Sequence, residues 1–414
     1  MTRAHPLAAT PDHPVVVVGA SLSGLATSVR LARVGHHVVV VDRAPGPGTQ
    51  PWSRSPVVDL PAAWRDVFRK SGRILDAALA LDGYELTSAP PTRHVFSDGS
   101  TVDLPTDRGP QHAALATLVG DRAATAWRDL VDEADDTWQL VRRAGLESEA
   151  DPASPLFADP RTVESEARRM PDVRLAELVR SVAWRLGSDP AETPYWLLSR
   201  LSVERLFGRW VVTREGVPQP SEVLYGLLLR RAADRGVDVR WGVTATSLRP
   251  DGVTADTGDL AAAAVVSAVG HTDHATLRGL SRAMITLPRT IGPLRIGTRQ
   301  IPAEPPLSST TEGAPTDGPL ELVQHGPGTT TWTLPGRTVV CAGAPDASGL
   351  RWRGPATVGA FHPLADAGVW QAGSGSIGGT EPWARLLTGA LATYRVHERL
   401  TGDDIRPSNK AYRP

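Results

Sequence analysis

The chain has 414 residues, with 44 Lys and Arg, 45 Asp and Glu, and a formal net charge of −1. At about 100–200 residues per domain, this length predicts two or three structural units. The balanced charge excludes a strongly basic nucleic-acid-binding surface and gives no reason to expect a charged membrane surface as partner. The single cysteine, Cys341, excludes a disulfide framework and a thiolate metal cluster.

The amino-terminal segment does not have the pattern of a secretory signal. Residues 1–14 contain several prolines and lack the apolar stretch of about 7–15 residues that such a signal needs. The longest apolar run, around Leu260 to Gly270, falls well short of the roughly 20 residues of a membrane span. We therefore expect a soluble, cytoplasmic protein with no membrane span.

The hydrophobic periodicity predicts alternating strands and helices along the whole chain. In chain order these are a strand, helix and strand over 15–42, a helix over 62–81, a hairpin around 96–99, amphipathic helices over 111–205, a helix and strands over 220–269, and short strands before a final helix over 382–400.

The most informative segment is the first strand–helix–strand unit. An apolar strand over residues 15–18 runs into Gly19-Ala-Ser21-Leu-Ser-Gly24, and a second apolar strand ends in Asp42. Gly19 permits the tight turn, Gly24 lets the helix pack close to the strand, and Asp42 is placed to accept hydrogen bonds from a ribose diol. The start of the helix attracts a pyrophosphate. The unit predicts a dinucleotide site in which Ser21 replaces the second glycine, where it either crowds the pyrophosphate or donates to it.

This unit resembles the FAD-dependent oxidoreductase superfamily that includes the phytoene desaturases and the flavin amine oxidases. Two further segments carry the resemblance: a strand with its partner over 235–269, and the run VWQAGSGSIGG over 369–379, which precedes the final helix. The resemblance implies an α/β fold with a Rossmann-like, GR2-type FAD-binding domain. A second, discontinuous substrate domain of helices and a β-meander would complete the chain.

The resemblance also implies how the chain divides and what it binds. The FAD-binding domain would comprise 1–110, 215–285 and 365–414, and the substrate or cap domain 111–214 and 286–364. Val243 would contact the adenine through its backbone, and the terminal glycine segment would approach the flavin ring. The family normally has an aspartate at the position of Ser374. The implied FAD-binding residues are Gly19, Ser21, Ser23, Gly24, Asp42, Arg43, Val243, Gly373, Ser374, Gly378 and Gly379.

The catalytic residues are left unknown, with three candidates. His271 follows a strand where the flavin and substrate domains would meet, Arg205 lies in a segment rich in arginine and aromatic residues, and His94 precedes the predicted hairpin turn. The alternative for Arg205 is an arginine–tryptophan stacking cluster at a domain seam, and the alternative for His94 is a histidine at the surface or the seam. The sequence contains no zinc-binding HExxH motif, and we expect no metal.

Three functions fit these patterns. The predicted insertions are largely apolar and contain tryptophans, which favours a polyene- or polyketide-like intermediate of natural-product biosynthesis as substrate. The first interpretation is a desaturase-like enzyme with flavin N5 as hydride acceptor. The second is a non-redox, pericyclase-like cyclase, for example of [4+2] type, that keeps FAD as a scaffold. The third is a cofactor-free binding or escort protein of the same fold.

Lysine usage argues against amine oxidation. The chain has only two lysines, Lys70 on an early helix and Lys410 in the carboxyl-terminal tail. Flavin amine oxidases commonly place a lysine near the flavin, and neither residue follows a strand that points at the predicted ring. The sequence does not identify the substrate, the electron acceptor or the oligomeric state.

Overall fold

The computed structural model describes residues 9–47, 55–146, 154–185, 189–191, 193–269, 277, 289–291, 294–296, 308–312, 318–342, 368–373 and 381–407. The α-helices in these ranges are α1 Leu22–Arg33, α2 Pro61–Lys70, α3 Leu75–Ala80, α4 Arg108–Val119, α5 Asp121–Val141, α6 Val163–Ala167, α7 Val173–Arg185, α8 Ser199–Phe207, α9 Glu222–Asp234 and α10 Pro382–Thr401. The strands are β1 Val15–Val18, β2 Val38–Asp42, β3 Val57–Asp59, β4 Tyr84–Ser88, β5 Thr92–Val95, β6 Thr101–Leu104, β7 Arg209–Arg214, β8 Val217–Pro218, β9 Asp238–Trp241, β10 Ala245–Arg249, β11 Gly252–Ala255, β12 Gly258–Ala261, β13 Ala264–Ser267, β14 Arg289–Ile291, β15 Leu294–Ile296, β16 Ser308–Glu312, β17 Glu321–Gln324, β18 Thr329–Leu334, β19 Arg337–Ala342 and β20 Val369–Gln371.

Five parallel strands form a sheet in the order β20-β13-β1-β2-β9. Every residue of β1, β2 and β13 is buried, as expected for apolar parallel strands that are covered on both faces. Three separated parts of the chain, 15–42, 238–267 and 369–371, therefore assemble one sheet. This arrangement confirms the predicted Rossmann-like α/β fold.

Helices α1 and α10 pack against each other beside this sheet. An added Cβ at Gly389 of α10 would lie 2.7 Å from the carbonyl oxygen of Ser23, so only glycine permits the observed approach. The predicted final helix is confirmed. The predicted helix over 62–81 is two helices, α2 and α3, because Gly72 adopts a φ of +88° that ends α2.

Antiparallel strands make the remaining sheets. The predicted hairpin is confirmed as β5–β6, and β5 also pairs in parallel with β17, with His94 opposite Val323. The result is a six-stranded sheet, β16-β19-β18-β17-β5-β6. Strand β5, which lies in the part that the predicted domain division assigned to the flavin domain, is thus hydrogen-bonded to β17. Strands β3, β7 and β4 form another sheet, and β10–β12 form a three-stranded meander.

The predicted amphipathic helices are present as a layer of α4, α5, α7 and α8. Trp127, Leu115, Leu175 and Val179 form the apolar core of this layer together with Phe96 from the β5–β6 turn. The helical layer is therefore fixed to the six-stranded sheet through that hairpin. Within the described part of the chain, no helix combines the length and apolarity that crossing a membrane requires.

Candidate functional site

The glycine turn between β1 and α1 has a geometry that only its own residues permit. An added Cβ at Gly24 would lie 2.0 Å from the carbonyl oxygen of Gly19, and Gly19 itself has a φ of +104°. Ser21 caps the helix, because its Oγ accepts from the N–H of Gly24 at 3.3 Å and donates to the carbonyl oxygen of Ala268 at 2.8 Å. The Ser21 proton is therefore donated to the residue that follows β13, so the groups that remain to bind an anion are backbone N–H groups.

Two such N–H groups belong to Leu22 and Ser23, in the first turn of α1. Neither has an acceptor among the residues that the structure describes, as is usual for N–H groups in the first turn of a helix. The Ser23 hydroxyl lies 3.0 Å from Ser21 Oγ and serves as its donor, since the Ser21 proton is already engaged. These N–H groups and the positive end of the helix dipole fit the pyrophosphate of a dinucleotide.

Asp42 connects the end of β2 to this turn. Its Oδ2 accepts from the N–H of Ala20 at 2.7 Å, and its Oδ1 accepts from the N–H of Ala44 at 2.8 Å. The Asp42 residue is only 5% exposed, and its carbonyl oxygen accepts from the N–H of Val243 at 2.9 Å. The acid that was predicted to contact a ribose therefore also holds the glycine turn in place. A carboxylate accepts up to about four hydrogen bonds, so these two bonds are compatible with a ribose contact.

The predicted terminal segment reaches the same edge of the sheet. An added Cβ at Gly373 would lie 3.8 Å from Ser23 Oγ and 3.4 Å from the carbonyl oxygen of Val269. Arg43 follows Asp42 and is exposed. The structure brings seven of the predicted residues together at the carboxyl edge of β1, β2, β13 and β20: Gly19, Ser21, Ser23, Gly24, Asp42, Val243 and Gly373. Three further predicted cofactor residues, Ser374, Gly378 and Gly379, and the catalytic candidate His271 lie outside the described residues.

Sequence reasoning missed a residue that supports the turn from α9. The hydroxyl of Tyr225 donates to the carbonyl oxygen of Ala20 at 2.8 Å, and burial and the charge of Asp42 raise the pKa of this phenol. Tyr225 has no signal in the sequence, because it is one apolar position among several on its helix. Gly389 did carry a signal, since a glycine inside an apolar helix often marks a close approach of two backbones.

A charged cluster lies between β3, α8 and the start of α10, and we call it the Asp59 cluster. Arg200 Nη1 donates to Glu381 Oε1 at 2.5 Å, and Arg200 Nη2 lies 3.7 Å from Asp59 Oδ2. Asp59 Oδ1 is buried and has no hydrogen-bond partner among the described residues. Burial and the charge of Glu204 raise the pKa of Asp59 to about 7, against the opposing charge of Arg200. Near neutral pH this carboxyl is thus divided between its two protonation states.

A cavity lies among α4, α5, α7, α8 and the β5–β6 hairpin, and we call it the helical cavity. Its enclosed space is about 40 Å³, and the region reaches about 670 Å³ only when the open solvent at its mouth is included. Arg200 and Glu204 line it and connect it to the Asp59 cluster. Its apolar walls include the side chains of Trp127, Val131, Leu178, Val182 and Leu201. Polar and charged side chains complete the lining, among them Gln111, Arg185 and Glu204.

The candidate Arg205 also lines the helical cavity, but its guanidinium already binds carboxylates. Nη1 donates to Asp132 Oδ1 at 2.6 Å, and Nη2 pairs with Asp135. These ion pairs tie α8 to α5 and indicate a structural role. The predicted tryptophan stacking has a different partner, because the guanidinium lying over the Trp210 ring, at 5.8 Å, belongs to Arg65.

The candidate His94 is not at the surface. It is 4% exposed, lines the helical cavity and has its Nδ1 3.0 Å from His325 Nε2. His325 is 231 residues further along the chain, so no local pattern could have predicted this pair. In the described ranges, no group of three or more His, Cys, Asp or Glu residues is arranged to hold a metal ion.

Comparison with known proteins agrees with this geometry. The model of the FAD dependent oxidoreductase family, DAO, matches residues 14–368. The chain is 30% identical over 295 residues to a hydroxyneurosporene desaturase of Cereibacter sphaeroides, covering 66% of this chain and 57% of the relative. It is 28% identical over 256 residues to the protein of the same name from Rhodobacter capsulatus, covering 56% and 50%. The chain thus spans about half the length of these curated relatives.

Solved structures share the fold at low sequence identity. Cyclohexylamine oxidase from Brevibacterium oxydans superposes with a TM-score of 0.60 at 15% identity, covering 94% of this chain and all of the other. The family match includes the glycine turn, Asp42 and Asp59. The backbone N–H groups at the turn fit the FAD that this family binds. Because one family model accounts for most of its length, the chain belongs to the FAD dependent oxidoreductase family.

Proposed function

We propose that this protein is an FAD-dependent enzyme that dehydrogenates an apolar, polyene-like small molecule. The observation that carries the proposal is the link from the helical cavity through α10 to α1, the helix that begins at the glycine turn. Arg200 lines the cavity and is paired with Glu381, the residue directly before α10. The names of the two desaturase relatives support a polyene as the substrate class.

The chain's own groups would hold the cofactor at the carboxyl edge of the sheet. The N–H groups of Leu22 and Ser23 bind the pyrophosphate, and Asp42 accepts from the ribose. The N–H of Val243 is already donated to Asp42, so its carbonyl oxygen is the backbone group that remains for the adenine. When bound, FAD supplies an acceptor for hydride at N5.

The cavity residues would orient the substrate and receive a proton. The apolar walls exclude water and hold the chain of the substrate extended. Forming a C=C bond from a C–C bond releases one hydride and one proton. Glu204 lines the cavity beside Arg200, and its charge acts on Asp59. The carboxylate of Glu204 would therefore take up the proton that the substrate releases.

The test blocks the cavity and leaves the cofactor edge untouched. Leu201→Trp fills the helical cavity, and Leu206→Trp, on the same helix but 48% exposed, is the matched control. Phytoene in detergent micelles is added anaerobically to each purified protein, and the visible flavin absorbance is followed. We expect bleaching in wild type and Leu206→Trp, and none in Leu201→Trp despite a full flavin content. Equal bleaching in all three, or a wild-type protein that cannot be loaded with flavin, would overturn the proposal.

A further inference from the structure

The guanidinium of Arg385 has no bonded partner in the described part of the chain. Its Nε is buried without a hydrogen bond, and among the described residues no carboxylate lies within ion-pair distance of the group. Glu381, four residues earlier, attracts it, but Oε1 of Glu381 is bound by Arg200 at 2.5 Å. Burial outweighs this attraction and lowers the pKa of Arg385. A desolvated cation without a bonded partner costs free energy, and an anionic ligand would remove that cost.

The place of Arg385 in its helix adds a second cost. Pro382 begins α10, so Arg385 lies in the first turn of that helix. The first turn is the positive end of the helix dipole, where a cation is unfavourable and an anion is favourable. An anion bound beside this turn would therefore compensate both for the burial of the arginine and for its position.

Helices α1 and α10 begin at the same edge of the parallel sheet. Thr27 Oγ1 donates to the carbonyl oxygen of Gly389 at 3.2 Å, and Thr393 Oγ1 donates to the carbonyl oxygen of Thr27 at 3.5 Å. Because Gly389 also lies beside Ser23, the residue numbers rise in the same direction along both helices. The two helices therefore present the positive ends of their dipoles to one region, at the carboxyl edge of the sheet.

Arg385 lies beyond the start of α1. It precedes Gly389 by one helical turn, so the two residues share a face of α10. Gly389 is level with Ser23, the second residue of α1. Four residues correspond to about 6 Å along the helix axis, and long side chains lean toward the N-terminus of their helix. The guanidinium thus projects past the first turn of α1, toward the side on which the N–H groups of Leu22 and Ser23 face an anion.

We infer that Arg385 is a cofactor-binding residue whose guanidinium binds the pyrophosphate of FAD, together with the backbone N–H groups of Leu22 and Ser23. A planar guanidinium donates in parallel to two phosphate oxygens, which the ammonium group of a lysine does not reproduce. The glycine turn would then have one charged donor in addition to its N–H groups. This inference rests on the FAD site of the proposed function, but it concerns binding and requires no turnover.

The experiment displaces FAD from the purified holoenzyme with ADP or with adenosine and follows the fluorescence of the released flavin. ADP keeps the pyrophosphate, whereas adenosine lacks it. For the loss of one charge-assisted hydrogen bond, we expect Arg385→Gln to weaken the binding of FAD and of ADP about 10- to 150-fold and to leave the affinity for adenosine unchanged. Arg385→Lys, which keeps the charge, should give intermediate affinities. An unchanged affinity of Arg385→Gln for ADP, or an equal loss for adenosine, would overturn the inference.

A matched control and a stability measurement separate binding from a structural role. Arg399 is exposed and lies in the last turn of the same helix, so Arg399→Gln should keep the wild-type affinities for FAD, ADP and adenosine. Without FAD, Arg385→Gln removes a buried cation, and its melting temperature should equal or exceed that of wild type. With FAD, the variant should melt at a lower temperature than wild type. A lower melting temperature of the FAD-free variant would mean that Arg385 supports the helix, against the inference.

The midpoint potential tests whether the guanidinium lies at the flavin ring instead. A cation at the ring stabilises the negative charge of the reduced flavin, whereas the charge of the pyrophosphate does not change on reduction. We therefore expect equal midpoint potentials in wild type and Arg385→Gln. A lower potential in the variant, with an unchanged affinity for ADP, contradicts the assignment. A wild-type protein that binds ADP through Arg385 but is not bleached by phytoene would refute the proposed dehydrogenation and support this inference.

Discussion

At the residue scale, the buried carboxyl of Asp59 gives the candidate site a dependence on pH near neutrality. Its carboxyl has a pKa raised to about 7 by burial and by Glu204, whereas the unfolded value is near 3.8. A raised carboxyl pKa means that the folded protein binds the proton more tightly than the unfolded chain. The associated stability is fully present below about pH 3.8 and is lost as the pH rises through 7.

This sign gives a prediction for Asp59→Asn, which keeps the shape and removes the titration. The free energy of unfolding of wild type relative to the variant should fall between pH 5 and pH 8, by on the order of 2 kcal/mol. Urea denaturation at both pH values measures it. Asp66→Asn is the matched control, because Arg30 and Arg69 lower the pKa of Asp66 and its contribution stays constant over this window. If the difference in free energy of unfolding between wild type and Asp59→Asn is the same at pH 5 and pH 8, the raised pKa of Asp59 is contradicted.

Asp42 carries the second prediction at this scale. Asp42→Ala removes the acceptors for the N–H groups of Ala20 and Ala44, so the glycine turn loses its attachment to β2. Losing one charge-assisted hydrogen bond costs about 1.5–3 kcal/mol, so we expect FAD to bind roughly 10- to 150-fold more weakly. Flavin released on denaturation measures the retained cofactor. Asp238→Ala, a part-exposed carboxylate on β9 paired with Arg240, should retain full cofactor, and an equal content in both variants would refute the placement.

At the element scale, the contact between α10 and α1 joins the last helix of the described chain to the glycine turn. Gly389→Ala would place a methyl group 2.7 Å from the carbonyl oxygen of Ser23 and 3.0 Å from the Ala26 Cβ. Overpacking of this kind costs about 1–3 kcal/mol, and it displaces the first turn of α1, where the proposed pyrophosphate donors lie. We expect a lower melting temperature together with weaker flavin retention.

A glycine in another helix provides the control for this prediction. Gly226 lies on the exposed face of α9, and an added Cβ there meets no atom within 4 Å. Gly226→Ala should stabilise the protein by up to about 1 kcal/mol, because alanine is the better helix former. If both substitutions change stability in the same direction, close packing at Gly389 is not what holds the two helices.

The elements also explain what could be predicted from the sequence. The unit β1–α1–β2 is local, because its apolar run, glycine turn and amphipathic helix lie within about thirty residues. Each of these patterns predicts one kind of element. The break at Gly72 was missed because a positive φ leaves no mark in the periodicity. Tyr225, His325 and Arg200 were missed because their partners lie 205, 231 and 181 residues away along the chain. Such contacts follow from the packing of whole elements.

At the scale of the whole molecule, two buried histidine pairs make the fold sensitive to acid. His36 Nε2 lies 2.9 Å from His397 Nδ1, and His94 pairs with His325 in the same way. Burial lowers the pKa of all four, to about 4 for His36 and for His325. In the unfolded chain these rings titrate near 6.5, so the unfolded state binds more protons between pH 6.5 and pH 4.

Stability should therefore fall as the pH is lowered through that window. We expect a lower urea midpoint at pH 5 than at pH 7, since four histidines act in this direction and, among the described carboxyl groups with a raised pKa, only Asp59 acts against them. The carboxylate of Glu321 does not change over the same range, because Arg185 and Arg209 lower its pKa to about 2. A midpoint that is constant or higher at pH 5 would mean that the rings are solvated in the native protein.

The central claim is that the helical cavity delivers a polyene to an FAD-dependent dehydrogenation at the carboxyl edge of the parallel sheet. The most direct test is a single anaerobic turnover of the flavin-loaded protein with a stoichiometric amount of phytoene, with the product analysed by mass spectrometry. The account predicts a product that is two hydrogens lighter, formed in proportion to the flavin that is bleached. A product of unchanged mass with the flavin still oxidised would contradict it.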